Sequence, residues 1–146
     1  MTATQPKEMN AENVNSSEHS RLKWQIDFDQ ERQILLVKTS GVISWEDKKK
    51  LNKEMLAAGR KNNVNAFLVD QKETSFGLSV LEIDRLPSML KEIGFSSNHK
   101  LAILINQDSL KGNLYKFLQN VCLLRSMQIR VFNDTEKAAA WLKKKT

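Results

Sequence analysis

Along residues 22–28, apolar Leu22, Trp24, Ile26 and Phe28 alternate with polar Lys23, Gln25 and Asp27. A period of two marks a strand with one face buried and the other in water. Residues 34–37 form a second short apolar run. The polar link Asp29-Gln30-Glu31-Arg32 between the two predicts an antiparallel hairpin. The period changes after Gly41-Val42-Ile43. Ser44 stands three residues before Asp47, the spacing of a helix cap, and Leu51, Met55 and Ala58 then recur at four and three residues as one apolar stripe. Gly59 is placed to end that helix in a left-handed conformation.

Phe67-Leu68-Val69-Asp70 predicts the next strand, which ends in a carboxylate and opens into a loop over 70–79 carrying Thr74, Ser75 and Gly77. Ser79 and Glu82 make a second capping pair, starting a helix through Ile83. Leu86-Pro87 is expected to break it, because proline disfavours helical geometry in the residue before, and a further turn or two should end near Gly94. After Lys100 the run 101–105 is wholly apolar, as in a central strand covered on both faces. Asp108 or Ser109 is expected to cap the longest helix, whose apolar positions Leu110, Leu114, Phe117, Leu118, Val121 and Leu124 keep helical spacing. Residues 129–132 predict the last strand, and Asp134 caps a closing helix through Ala138, Trp141 and Leu142. Two strands and a helix, followed by three strand-helix units, predict an α/β fold. Its sheet is five-stranded, mixed and mostly parallel, begun by an antiparallel hairpin and covered by about four helices.

Composition refines this picture at the termini and on the surface. Residues 1–20 are rich in Asn, Ser, Thr, Gln and Glu and hold no aromatic side chain, so they bury too little apolar area to offset the entropy of ordering. They are expected to form a flexible tail, with a single α/β domain over 21–146. The chain is 40% hydrophobic and 27% charged, which is ordinary globular usage. No run approaches the roughly 18–20 uncharged residues of a membrane span, and the first 20 residues lack a signal peptide's basic start and apolar stretch. A cytoplasmic protein is expected. Cys122 is the sole cysteine, which excludes an internal disulfide and a cysteine-rich zinc site and fits a reducing compartment. The net charge of +6 is unevenly spread: Lys7 against Glu8, Glu12 and Glu18 makes the tail −2, which leaves about +8 for the remainder. Its lysines fall mostly on predicted helix surfaces. Lys48, Lys49, Lys50 and Lys53 are read as solvated, with Glu46 and Asp47 complementing the helix dipole, and no nucleic-acid partner is expected.

Catalytic signals are sparse. No GxSxG turn announces a serine hydrolase; His19 lies in the tail and His99 precedes a strand, both read as solvated. Asp70, Asn106, Asp108, Asn133 and Asp134 all follow strands and could gather oxygen ligands at one sheet edge, yet helix caps and turns account for them, and no metal site is expected. No glycine-rich phosphate loop follows any strand, so no cofactor is expected. Cys122 falls one position beyond its helix's stripe and reads as a semi-buried small hydrophobe.

The order of elements, with Trp24-Gln25-Ile26-Asp27-Phe28, Ser40-Gly41-Val42-Ile43-Ser44, Phe67-Leu68-Val69-Asp70 and Ile129-Arg130-Val131-Phe132-Asn133-Asp134 followed by Ala138 and Trp141-Leu142, resembles the SpoIIAA-like family. That family is related to the STAS domains, named for sulfate transporters and anti-sigma factor antagonists. The resemblance covers about residues 22–143. It implies a bacterial, non-enzymatic domain that makes regulatory protein contacts or holds a small ligand. In the antagonists a serine at the start of the second helix is phosphorylated to break a partner contact. The matching segment here is Glu73-Thr74-Ser75-Phe76-Gly77-Leu78, where Glu73 replaces the family's aspartate and Phe76 separates the hydroxyls from Gly77. Ser75 and Thr74 are thus the candidate phosphoacceptors. The expected contact surface is the loop 70–79 and the helix after it, through Asp70, Phe76, Gly77, Leu78, Ile83, Leu86, Met89 and Leu90. The alternative is a carrier or sensor of a small lipophilic ligand, held between the apolar 79–93 region and the sheet. The partners so implied are an unidentified protein, a small apolar ligand or a second copy of the chain.

Overall fold

The structure, a computed structural model, describes residues 21–106 and 109–144. The expected tail over 1–20, His19 and the Asp108 cap lie outside the described residues, as do the side chains of Phe76 and Leu110. The described elements run β1 (Lys23–Asp29), β2 (Ile34–Ile43), α1 (Trp45–Asn62), β3 (Ala66–Phe76), α2 (Val80–Glu92), β4 (Lys100–Leu104), α3 (Ser109–Leu124), β5 (Gln128–Phe132) and α4 (Thr135–Lys143).

The five strands lie side by side in the order of the chain, β1-β2-β3-β4-β5. The β1–β2 hairpin is antiparallel and the other three pairs are parallel, as the sequence pattern predicts. Parallel crossovers share one hand. A sheet that always grows in one direction therefore sends every crossover helix to the same face. The core divides accordingly. On one face Leu35, Val37, Phe67, Val69, Leu101, Ile103 and Ile129 meet Leu51 and Met55 of α1, Ile83, Leu86 and Leu90 of α2, and Tyr115, Leu118 and Cys122 of α3. On the other, α4 is the one described helix, and it packs Ala138 and Leu142 over Ile34, Leu68, Ala102 and Leu104. Strand β4 lies between the two layers and is buried at all five positions, in keeping with its unbroken apolar run.

Several local expectations give way to packing. Gly59 does not end α1. It lies inside the helix, where a Cβ would sit 2.9 Å from the Phe67 ring, so its small size admits that ring. Asn63 takes the left-handed cap position instead, at φ 57°. Pro87 does not break α2, which runs unbroken from Val80 to Glu92. The full Ser79–Glu82 capping box and the burial of Ile83, Leu86, Met89 and Leu90 offset the helix hydrogen bond that proline cannot donate. The buried stripe of α3 is rotated from the expected one: Leu118, Val121, Tyr115 and Cys122 are buried, whereas Phe117 and Leu124 face outward. The paired strands β2 and β3 run six residues past 37 and 70, through the segment expected to be a loop.

Candidate functional site

The extension of β3 creates the most distinctive surface of the molecule. Strand β4 pairs with β3 only as far as Asp70, but β2 accompanies β3 on to Phe76. A two-stranded ribbon, residues 40–43 of β2 beside 73–76 of β3, therefore overhangs the carboxyl edge of the sheet. A register shift between Lys38 and Ser40 sets Thr39 of β2 against two residues of β3, Gln71 and Lys72, with the Thr39 hydroxyl donating to the Asp70 carbonyl at 2.9 Å.

The side of β3 that lost β4 is covered by side chains. Asn106 donates its amide to the Lys72 carbonyl at 2.9 Å, and the buried Tyr115 hydroxyl of α3 donates to the Gln71 side chain. The Asp70 carboxylate accepts the Lys72 backbone N–H at 3.0 Å. At the tip, the Gly77 N–H donates to the Ile43 carbonyl at 3.1 Å, and a Cβ on Gly77 would meet that carbonyl oxygen at 2.6 Å. Only glycine lets the chain fold back this closely over the end of β2. Ser79 then caps α2, accepting from the Glu82 N–H at 3.1 Å while Glu82 accepts from the Ser79 N–H at 3.0 Å. Just inside this cap, Val80 is 57% and Leu81 77% exposed.

Beneath the helical layer, α1 turns two polar side chains inward. Lys48 is 4% and Asn52 2% exposed, one turn apart. The Asn52 amide nitrogen has no hydrogen-bond partner among the described residues, and no acidic group forms an ion pair with Lys48 there. Burial lowers the Lys48 ammonium to about 8, against a small opposing pull from the Cys122 side of α3. Burial raises the Cys122 thiol to about 12, with Lys48 and Arg125 pulling the other way. Such a thiol is inert as a nucleophile. Asp47, next to Lys48 in the chain, makes half a capping box, since Ser44 accepts its N–H at 3.3 Å while the Asp47 carboxylate turns away to Arg21 at 3.0 Å.

Two solved structures share this architecture. An anti-sigma factor antagonist from Mycobacterium paratuberculosis superposes with a TM-score of 0.58 at 10% identity, over 86% of this chain and 97% of its own. An uncharacterised DUF3478-family protein with a SpoIIAA-like fold, from Shewanella loihica, gives 0.54 at 18% identity, over 83% and 93%. The fold is SpoIIAA-like. No protein-family model matches the sequence. Nor does any curated protein.

Within this SpoIIAA-like frame the candidate residues separate. Ser75 and Thr74 lie in β3, opposite Val42 and Gly41, and not in a loop. Ser75 is exposed, whereas Thr74 is 5% exposed and donates its hydroxyl to the Gln71 carbonyl at 2.7 Å. The serine at the start of the second helix is Ser79. Gly77 is exposed and Asp70 half-buried, but Leu78, Ile83, Leu86, Met89 and Leu90 all turn into the core. Sequence reasoning counts Val80 only within the apolar 79–93 region and misses Leu81, although Leu81 lies off the Ile83–Leu86–Leu90 stripe and its spacing places it on the outer face. It also read Lys48 as solvated, although Lys48 shares the helical face of Leu51 and Met55.

The strand-end oxygens do not converge: Asp134 accepts the Glu136 and Lys137 N–H groups, Asp70 and Asn106 serve β3, and no metal-binding cluster is present among the described residues. His99 is not simply solvated. Its ring packs 5.2 Å from Phe95 and 5.8 Å from Phe67, accepts the Ser96 N–H at 2.9 Å, and is held below the usual histidine range by burial. Among the described residues, no helix is long and apolar enough to cross a membrane.

Proposed function

We propose that this chain is a non-catalytic regulatory module that binds another protein through the overhanging β2–β3 ribbon and the first turn of α2. The observation that carries this reading is the pair Val80 and Leu81. They are large apolar side chains, mostly in water, on a helix start held rigid by its capping box and by the Gly77 fold-back. Large apolar groups kept exposed on an ordered scaffold are what a partner's pocket needs. Gly77 leads into them from the tip of the ribbon, which exposes Lys72, Glu73 and Ser75 along β3. The shared fold of an anti-sigma factor antagonist supports a contact role of the same general kind.

Phosphorylation of Ser75 would add nearly two negative charges within this surface, so the reading includes Ser75 as a control point. The buried hydroxyl of Thr74 would have to leave the Gln71 carbonyl to be modified. The test is a photo-crosslinking side chain at Leu81, compared with one at Lys137 on the opposite face. A discrete partner should be captured at 81 alone, and Leu81→Asp should abolish its binding. Equal capture at both positions would defeat the reading.

A second reading, a carrier of a small lipophilic molecule, is favoured by the inner face of α2, where Ile83, Leu86, Met89 and Leu90 are all apolar and buried. A ligand would enter by lifting α2 and taking over the core contacts that its Leu86, Met89 and Leu90 make. Native mass spectrometry of detergent-free protein decides it: a stoichiometric apolar adduct supports the carrier, and its absence removes it.

A further inference from the structure

The two outer strands of the sheet are finished differently. At one edge, the Val131 N–H of β5 points away from β4 and is taken by the Gln119 side chain of α3 at 2.8 Å. Strand β5 is also short, at five residues. At the other edge, β1 is seven residues long and pairs with β2 alone among the described strands. Along its helical-layer face Trp24, Ile26 and Phe28 are only half-buried against the core, and its other face carries Lys23, Gln25, Asp27 and Asp29. An outer strand of this length with unpaired backbone is a template for another strand.

We propose that β1 pairs antiparallel with β1 of a second copy of this chain, on a twofold axis through Ile26, to give a continuous ten-stranded sheet. The register follows from symmetry and charge. A twofold axis perpendicular to the sheet keeps each side chain on its own face, so only residues of equal parity can stand opposite one another. Centring on Ile26 matches the whole strand: Lys23 faces Asp29, Gln25 faces Asp27, Trp24 faces Phe28, and Ile26 faces itself across the axis. The Lys23–Asp29 charge pair, the Gln25–Asp27 polar pair and the Trp24–Phe28 aromatic pair then each occur twice. Shifting the centre to Asp27 sets two carboxylates against each other. Shifting it to Gln25 requires Arg21 for Asp29, but that guanidinium is held by Asp47 at 3.0 Å. Asp29 binds Arg32 through its backbone N–H and its side chain, and a carboxylate retains acceptor sites for Lys23 beyond these. Lys23 of β1 pairs with Ser40 of the ribbon, but the second copy would lie along the other side of β1 and leave Val80 and Leu81 of α2 open.

Sedimentation velocity of the full chain over a range of concentrations tests the pairing. Wild type should dimerise reversibly, and less so at high salt. Lys23→Glu places like charges opposite Asp29 twice and should weaken the dimer about tenfold or more. Gln25→Lys places a cation opposite Asp27 and should tighten it. Both positions are exposed, so circular dichroism should show an unaltered fold. A wild type that stays monomeric throughout, or a dimer that neither variant shifts, overturns the proposal.

Discussion

Phe67 and Leu68 are neighbours in β3 but belong to opposite layers, and those layers are built on different terms. The α4 layer is small and apolar apart from its margin, where Lys100 caps the end of α4 by donating to the Trp141 and Lys144 carbonyls. The three-helix layer is larger but admits Lys48, Asn52 and Gln71. It therefore combines the greater apolar burial with the unfavourable desolvation of polar groups. Stability is concentrated where it is also most compromised, and a substitution there can move it in either direction.

The comparison can be broken first at its centre. Phe67→Ala should cost about 3–5 kcal/mol by urea denaturation, since the ring fills the space that Gly59 leaves, whereas Leu68→Ala should cost nearer 2–3 kcal/mol under the short α4. Equal costs would show the two layers to be energetically alike. Lys48→Met should stabilise the protein by roughly 2–3 kcal/mol, because a pKa lowered from 10.5 to about 8 measures the penalty on the buried ammonium. The sign carries over to pH. Between about 8 and 10.5 the unfolded chain holds the lysine proton and the folded chain does not, so wild-type stability should rise with pH across that window, and the rise should vanish in Lys48→Met. Asn52→Leu should add about 1 kcal/mol by removing a buried amide nitrogen with no partner among the described residues. Leu81→Asp should leave the melting temperature within the change expected for about 0.5 kcal/mol while abolishing partner capture, which separates the contact surface from both layers.

The architecture was legible because its signals were repeated. Period-two alternation in β1, the apolar run of β4 and the serine and aspartate caps each specify an element locally, and their alternation specifies the sheet. What was not legible depended on contacts distant in sequence. The extension of β3 to Phe76 is made by pairing with β2, and its Lys-Glu-Thr-Ser composition reads locally as a loop. Pro87 stays helical because the residues around it are buried, which no proline rule registers. The candidate site fared worse than the fold for the same reason. The apolar residues that drew attention in α2 belong to its buried stripe, while the exposed pair Val80 and Leu81 is meaningful only once the helix orientation is fixed. Lys48 was hidden inside a lysine run whose other members are solvent-facing or half-buried.

The sequential strand order also has a kinetic side. Each described strand pairs only with the described strands immediately before and after it in the chain, so among them no pairing closes a loop longer than one crossover helix and its links. Loop-closure entropy is then distributed over four short steps instead of being met in one long one. The β1–β2 hairpin can form without waiting for the rest, and each later unit adds to an edge already made. The same order leaves β1 as a growth edge at every stage, so dimerisation through it and premature association during folding would draw on one and the same strand.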